Sequence, residues 1–292
     1  MSRFARLGPT AQGILLLLVA VMILSSMDVM AKEVGQRTNP IMATWARYVG
    51  QMAVVFVVVI PRMPQVFRTR YPGLQFLRSL FLLAATLCFF FSITLIGLAG
   101  STAVMNTSPV LIALGAALFL KERFGPRRVF GVVAALAGAL IVIRPGSAVF
   151  SVYSLLPLVS AVSVAGYSLA TRFVGRGEDV WTSLFYAATF GSAILCAVVP
   201  FYWITPSPGT VGLMVAMGLA AALGHLCLIR AYMVAEAAAI APFTYAQLLF
   251  ATLWCMVFFA EVPDRWTVLG SLVIVGAGVY VWHRETRTVP PR

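Results

Sequence analysis

Charge is scarce in this chain of 292 residues: Asp, Glu, Lys and Arg make up 10% of it, with nine acids and two histidines, while 61% is hydrophobic. A soluble domain carries about one quarter charged residues, so this composition excludes a soluble globular protein. Mean hydropathy is +0.95. The four cysteines, Cys88, Cys196, Cys227 and Cys255, all fall in apolar runs and form no CxxC or Cys/His cluster, so neither a disulfide framework nor a metal site is expected. No GxxxxGK[ST] phosphate loop occurs, which removes ATP hydrolysis by this chain. GxSxG and HExxH are missing as well, which speaks against a membrane-embedded enzyme. The charge rings or carbonyl filters of a passive channel are not found either. No catalytic residue and no cofactor is expected.

What remains is apolar sequence in runs long enough to cross a bilayer. Hydropathy, with Pro, Gly and charge as punctuation, gives ten spans: Gln12–Ala31, Met42–Ile60, Leu74–Leu95, Ser101–Leu120, Arg127–Ile143, Ser154–Phe173, Trp181–Val199, Val211–Val234, Ile240–Ala260 and Trp266–Trp282. In lipid the backbone must satisfy its own polar groups, so these are helices, and the chain reads as an all-α polytopic membrane protein. Met1–Pro9, with Arg3 and Arg6, resembles a signal-peptide n-region, but no small-residue cleavage site follows, and the first run is read as an uncleaved span. Of 21 basic residues, 14 fall on one side: Arg3, Arg6, Arg62, Arg68, Arg70, Lys121, Arg123, Arg127, Arg128, Arg172, Arg176, Arg284, Arg287 and Arg292. Lys32, Arg37, Arg144 and Arg265 are the four on the other. The positive-inside rule then puts both termini in the cytoplasm, with the chain in the inner membrane. This asymmetry accounts for the net charge of +12, so nucleic acid is not an expected partner. The expected partners are the lipid bilayer and a small-molecule substrate, with a homodimer as the candidate assembly.

The same residue recurs 139 positions later through most of the chain: Leu16 and Leu155, Pro61 and Pro200, Gly73 and Gly212, Cys88 and Cys227, Glu122 and Glu261, Gly131 and Gly270. The offset is constant and the matches include rare residue types, which argues for an internal duplication of five spans. Five is odd, so the second unit enters the membrane from the opposite side. Inverted pairs of this kind can exchange two conformations between their halves, as alternating access requires. A secondary transporter is therefore expected.

The residues also resemble a known family. Met27-Asp28 in span 1, Trp45-Ala46-Arg47-Tyr48 in span 2, Leu77-Arg78-Ser79 in span 3, Glu122 after span 4, Arg144-Pro145-Gly146 after span 5 and Ala241-Pro242-Phe243 at span 9 carry the likeness. On them, units 12–143 and 154–282 each resemble one EamA-type copy of the drug/metabolite transporter superfamily. The resemblance implies a central cavity lined mainly by spans 1, 3, 4, 6, 8 and 9. It also implies cargo drawn from amino acids, vitamins such as riboflavin, nucleotide derivatives and metal-chelating metabolites, moved in either direction.

Ionisable groups inside a span are expensive and become candidate site residues unless they snorkel. Asp28 and Lys32 share one face of span 1, and Arg47 lies toward the same end of span 2. They form either an outer gate or substrate-carboxylate clamp built from Asp28 and Arg47, or an interfacial ion pair holding two helices together, with Lys32 reaching water. Arg78 and Arg230 lie close enough to span ends to snorkel; for Arg78 an anion-binding or gating role stands equally. His225, in the middle of span 8, either couples transport to protons or is hydrogen-bonded to a neighbour. Ser160, Ser163, Tyr167 and Thr171 run down span 6, and Thr102, Met105, Asn106 and Pro109 down span 4. The offset places Tyr167 opposite Asp28. Tyr245 and Gln247 in span 9, with Tyr232 and Trp254, add aromatic walls and amide handles. The candidate translocation residues are thus Asp28, Arg47, Arg78, Asn106, Tyr167, His225, Tyr245 and Gln247. Gly212, Gly218, Gly224, Gly131 and Gly138 are read as packing positions, Pro109 as a bend, and Glu122 and Glu261 as partners of the following helix N-termini. Several aromatics and few acids suit a flat organic solute with hydrogen-bonding edges. Riboflavin-like vitamin uptake leads, ahead of S-adenosylmethionine-like uptake or export of amino acids, metallophores or drugs.

Overall fold

The computed structural model describes residues 8–119, 126–144, 151–174, 177–235 and 241–286. Arg3, Arg6, Lys121, Glu122, Arg123, Pro145, Gly146, Arg176, Arg287 and Arg292 lie outside the described residues. The described chain is helical throughout, with α1 Pro9–Arg37, α2 Pro40–Val59, α3 Pro72–Ile96, α4 Leu98–Met105, α5 Ser108–Phe119 and α6 Pro126–Ile143 in the first half. In the second half come α7 Leu156–Val174, α8 Val180–Val198, α9 Pro208–Val234, α10 Ala246–Phe259 and α11 Arg265–Thr286. Several helices open on proline, whose missing N–H costs nothing in a first turn. Side-chain caps fix other starts: Asn39 accepts from the Met42 amide at 2.9 Å and Asp179 from that of Trp181 at 3.1 Å.

Among the described residues, six helices are by themselves long and apolar enough to cross a membrane. The structure modifies three expected spans. Span 1 runs on to Arg37 instead of ending at Ala31, and its last turn is helped by an Arg37–Glu33 pair at 2.7 Å. Span 4 is broken at Asn106–Thr107 into α4 and α5. Pro109 stands just past the break; it has no N–H to offer the Met105 carbonyl four residues earlier, so the ladder cannot run through. Span 9 is a 3₁₀ turn at Ala241–Tyr245 followed by α10, rather than one continuous helix. The offset of 139 aligns Asn106 with Tyr245, so both interruptions fall at the same place in their repeats.

The packing is that of two inverted five-helix repeats within ten crossings. Contact α1·α9 has its exchanged counterpart in α3·α7, α2·α9 in α3·α8, and α1·α10 in the packing of α7 on α4 and α5. Three pairs of spans map onto themselves, α2·α8, α4·α10 and α6·α11. An even number of crossings leaves the chain ends on one face, the terminal face, with loops 1–2 and 9–10 on the opposite face.

Glycines mark two of the closest crossings. A Cβ on Gly50 of α2 would sit 2.6 Å from Gly218 Cα of α9, and one on Gly138 of α6 would meet Gly270 O of α11 at 2.9 Å. Gly224 is packed against Leu24 of α1, but Gly212 faces open space and is not a packing position. The reason is helical phase: steps of six residues at about 100° each turn these three glycines to three different sides. Large apolar side chains such as Val57, Val215, Leu249 and Leu272 form the exposed, lipid-facing surface.

Candidate functional site

The centre of the bundle is organised by Arg47. It is 3% exposed and lies seven residues into α2, about 10 Å along the helix, deeper than the span end at which the sequence reading placed it. Its Nη1 donates to Thr86 Oγ1 of α3 at 2.9 Å, and its Nη2 lies 3.2 Å from His225 Nε2 of α9. Thr86 and His225 are related by the offset of 139. One guanidinium therefore bridges equivalent positions of the two repeats and sits close to their pseudo-two-fold axis. His225 Nδ1 is 2.9 Å from the Ala221 carbonyl, which can only accept. Nδ1 accordingly carries the proton and Nε2 accepts from Arg47. The guanidinium carbon also stands 4.8 Å from the Tyr48 ring centroid.

Toward the opposite face the column continues with Asp28 of α1, 4% exposed, which accepts from Gln247 Nε2 at 3.5 Å, while Ser25 Oγ reaches the Gln247 carbonyl at 3.4 Å. Asp28 and Arg47 form no ion pair with each other, so the interfacial pair is not formed between them. One turn on, Lys32 does not reach water: it is 2% exposed, bonded to both Glu261 carboxylate oxygens at 2.6 Å and 4.1 Å from the Phe259 ring centroid. Glu261 thus meets a lysine rather than the following helix N-terminus. Ala260, in the left-handed conformation at φ 51°, ends α10 just before it.

Toward the terminal face lie Arg78 and Tyr167. Arg78 is fully buried and does not snorkel; it donates to the Ser183 carbonyl of α8, with its guanidinium 5.6 Å from the Tyr167 ring centroid. Beyond it Glu178 accepts from Thr69 and, at 3.5 Å, from Gln75. Polar residues of α1, α2 and α3, with partners from the second repeat, thus form a track through the bundle.

The structure gathers Asp28, Arg47, Arg78, Tyr167, His225 and Gln247 onto this track. Asn106 and Tyr245 mark the helix breaks. The Asn106 amide nitrogen is spent on the Thr102 carbonyl at 2.7 Å, and Tyr245 packs with Val104, Ala139, Ile143 and Ile274. The Tyr232 side chain is outside the described set. Sequence reasoning missed Gln51, Thr86, Gln75 and Glu178. For the first, the signal is Thr44, Arg47, Tyr48 and Gln51 at i, i+3, i+4 and i+7 on α2, all buried. In the α7 stripe, Ser163 and Thr171 donate within their own helix and Ser160 donates to the Ala85 carbonyl at 2.9 Å, so it serves packing.

A cavity of ≈ 360 Å³ opens elsewhere, near the opposite face, among Leu95, Val104, Ile143, Arg144, Ser154 and Thr267; none of the nominated site residues lines it. At its rim Arg144 pairs with Asp264, which also accepts from the Thr267 amide at 2.9 Å. Burial pushes the Asp264 carboxyl up, but hydrogen bonds from Thr267 and the charge of Arg144 outweigh it and hold it below the ordinary carboxylate value.

The EamA-like transporter family matches this sequence twice, at residues 11–144 and 151–282. A riboflavin transporter of Brucella anthropi is 27% identical over 273 residues, covering 90% of this chain and 96% of that one. An S-adenosylmethionine uptake transporter of Rickettsia prowazekii is 24% identical over 277 residues, 95% and 94% of the two chains. A pseudopaline exporter of Pseudomonas aeruginosa is 34% identical over 196 residues, 65% of this chain and 68% of that one. A crystal structure 18% identical in sequence superposes with a TM-score of 0.67 over 96% of this chain and 99% of the other, a likeness of fold alone.

Proposed function

The chain belongs to the EamA-like transporter family, and from that premise we propose that it moves a small organic metabolite across the inner membrane by alternating access, with both termini cytoplasmic. The observation that carries this reading is Arg47 held between the repeat-related Thr86 and His225. A group on the axis of an inverted pair stays central while the two halves exchange shapes around it, so solute bound there is offered to each side in turn. Asp28 with Gln247 on one side and Arg78 with Tyr167 on the other are the proposed approaches from the two faces.

The proposed cargo is an organic solute with hydrogen-bonding edges, seated against Tyr48 and Tyr167. Riboflavin, S-adenosylmethionine and amino acids are the classes to assay. Transport into proteoliposomes is the test: we expect at least one of these solutes to accumulate, and Asp28→Asn to slow it without lowering the amount of protein inserted. A purified protein that chemically converts a solute in detergent, with no second compartment, contradicts the reading.

A further inference from the structure

Arg47 and Arg78 are both buried, and among the described residues neither has a carboxylate within 4.0 Å. Lys32 is met by Glu261 and Arg230 is exposed, while the track's other two acids, Asp28 and Glu178, accept from Gln247 and from Thr69 and Gln75 rather than from either arginine. The unmet hydrogen-bonding atoms point the same way. Arg47 Nε, Arg78 Nε and Nη1, Tyr48 Oη, and Nε2 and Oε1 of Gln51 are buried without partners. Three of these six are cationic donors, and Gln51 Nε2 and Tyr48 Oη can donate as well. A buried guanidinium N–H left unmet is costly, and the group that would satisfy this set is acceptor-rich and negative.

We infer that the solute taken by this site carries a carboxylate that docks on Arg47, along the edge left free by Thr86 and His225, with Tyr48 and Gln51 beside it. A planar carboxylate matches the forked N–H pair of a guanidinium, and Gln51 follows Arg47 by four residues, on the same face of α2. The inference rests on the transport reading and sharpens it: amino-carboxylate solutes, S-adenosylmethionine among them, come ahead of riboflavin, which has no carboxylate.

The test uses the full chain in proteoliposomes and matched pairs that differ only in this group: S-adenosylmethionine against its decarboxylated amine, and tyrosine against tyramine, with riboflavin and flavin mononucleotide alongside. For a pair that is moved, the carboxylate member should enter roughly tenfold faster or more. Arg47→Gln should bring the ratio close to one, and Arg47→Lys should retain part of it. The wild-type ratio needs no variant, so it decides the matter even if Arg47→Gln does not fold. Amines or riboflavin moving as fast as the carboxylates overturn the inference while leaving transport intact. Flavin mononucleotide moving in preference to the carboxylates overturns it in favour of a phosphate. If folded, inserted protein moves none of these solutes, the transport reading fails for these classes and the inference fails with it.

Discussion

At the scale of single residues, the hydrogen-bond directions around His225 lead to a sharp expectation. The imidazole gives its proton to Ala221 and its lone pair to Arg47. His225→Gln keeps an acceptor and should be tolerated, whereas His225→Leu leaves a guanidinium N–H unmet at a cost of about 1–3 kcal/mol. Thermal unfolding in detergent reads the difference, and equal stability of the two variants would remove this bond from the account. The Lys32–Glu261 pair lends itself to a double-mutant cycle. Glu261→Gln strands a buried ammonium and should destabilise by about 1–2 kcal/mol, discounted because Glu261 is half exposed. Adding Lys32→Met to Glu261→Gln should recover most of that loss, and strict additivity would show that the pair is not coupled. Asp28, Arg47 and Arg78 were legible in the sequence because charge inside an apolar run is conspicuous. Their partners were not: Lys32 and Glu261 lie 229 residues apart, and no local pattern encodes which helices meet.

At the scale of helices, close packing separates glycines that look alike in the sequence. Gly50→Ala drives a methyl into the backbone of α9 at Gly218 and should cost about 1–3 kcal/mol, while Gly212→Ala, in open space, should leave the unfolding temperature unchanged. The start of α11 offers a pH-dependent expectation. Asp264 caps it through the Thr267 amide, and Asp264→Ala should cost about 1 kcal/mol at neutral pH. Because this carboxyl is held below its ordinary value, its contribution is present above the unfolded value near 4 and fades as pH falls through the lower folded one. The stability gap between wild type and Asp264→Asn should therefore narrow in acid; a gap that widens contradicts the assignment. Span positions were legible from hydropathy, and Pro109 pointed to the bend in span 4. The break before α10 does not repeat that marker, since the residue equivalent to Pro109 is Leu248; Pro242, inside the 3₁₀ turn, reads only as opening the span.

For the whole molecule, the constant offset of 139 carried the most information. It anticipated an inverted pair from parity alone, and the exchanged helix contacts follow it. It also contained the Thr86–His225 relation, which acquires meaning only once Arg47 is seen between the two. The basic-residue bias predicts the orientation: reporter fusions should find the C-terminus cytoplasmic. Alternating access is tested most directly at Gln51, which is fully buried one turn from Arg47. In a background with the four native cysteines replaced, Gln51→Cys should react with a membrane-impermeant thiol reagent added from either side. Cross-linking the opposite-face latch, where Asn39 Nδ2 donates to the Tyr202 carbonyl at 2.8 Å, through Asn39→Cys and Tyr202→Cys should abolish labelling from that side and preserve it from the terminal side. Labelling that persists from both sides with the latch closed, or that never occurs from either, would contradict a site exposed to one face at a time.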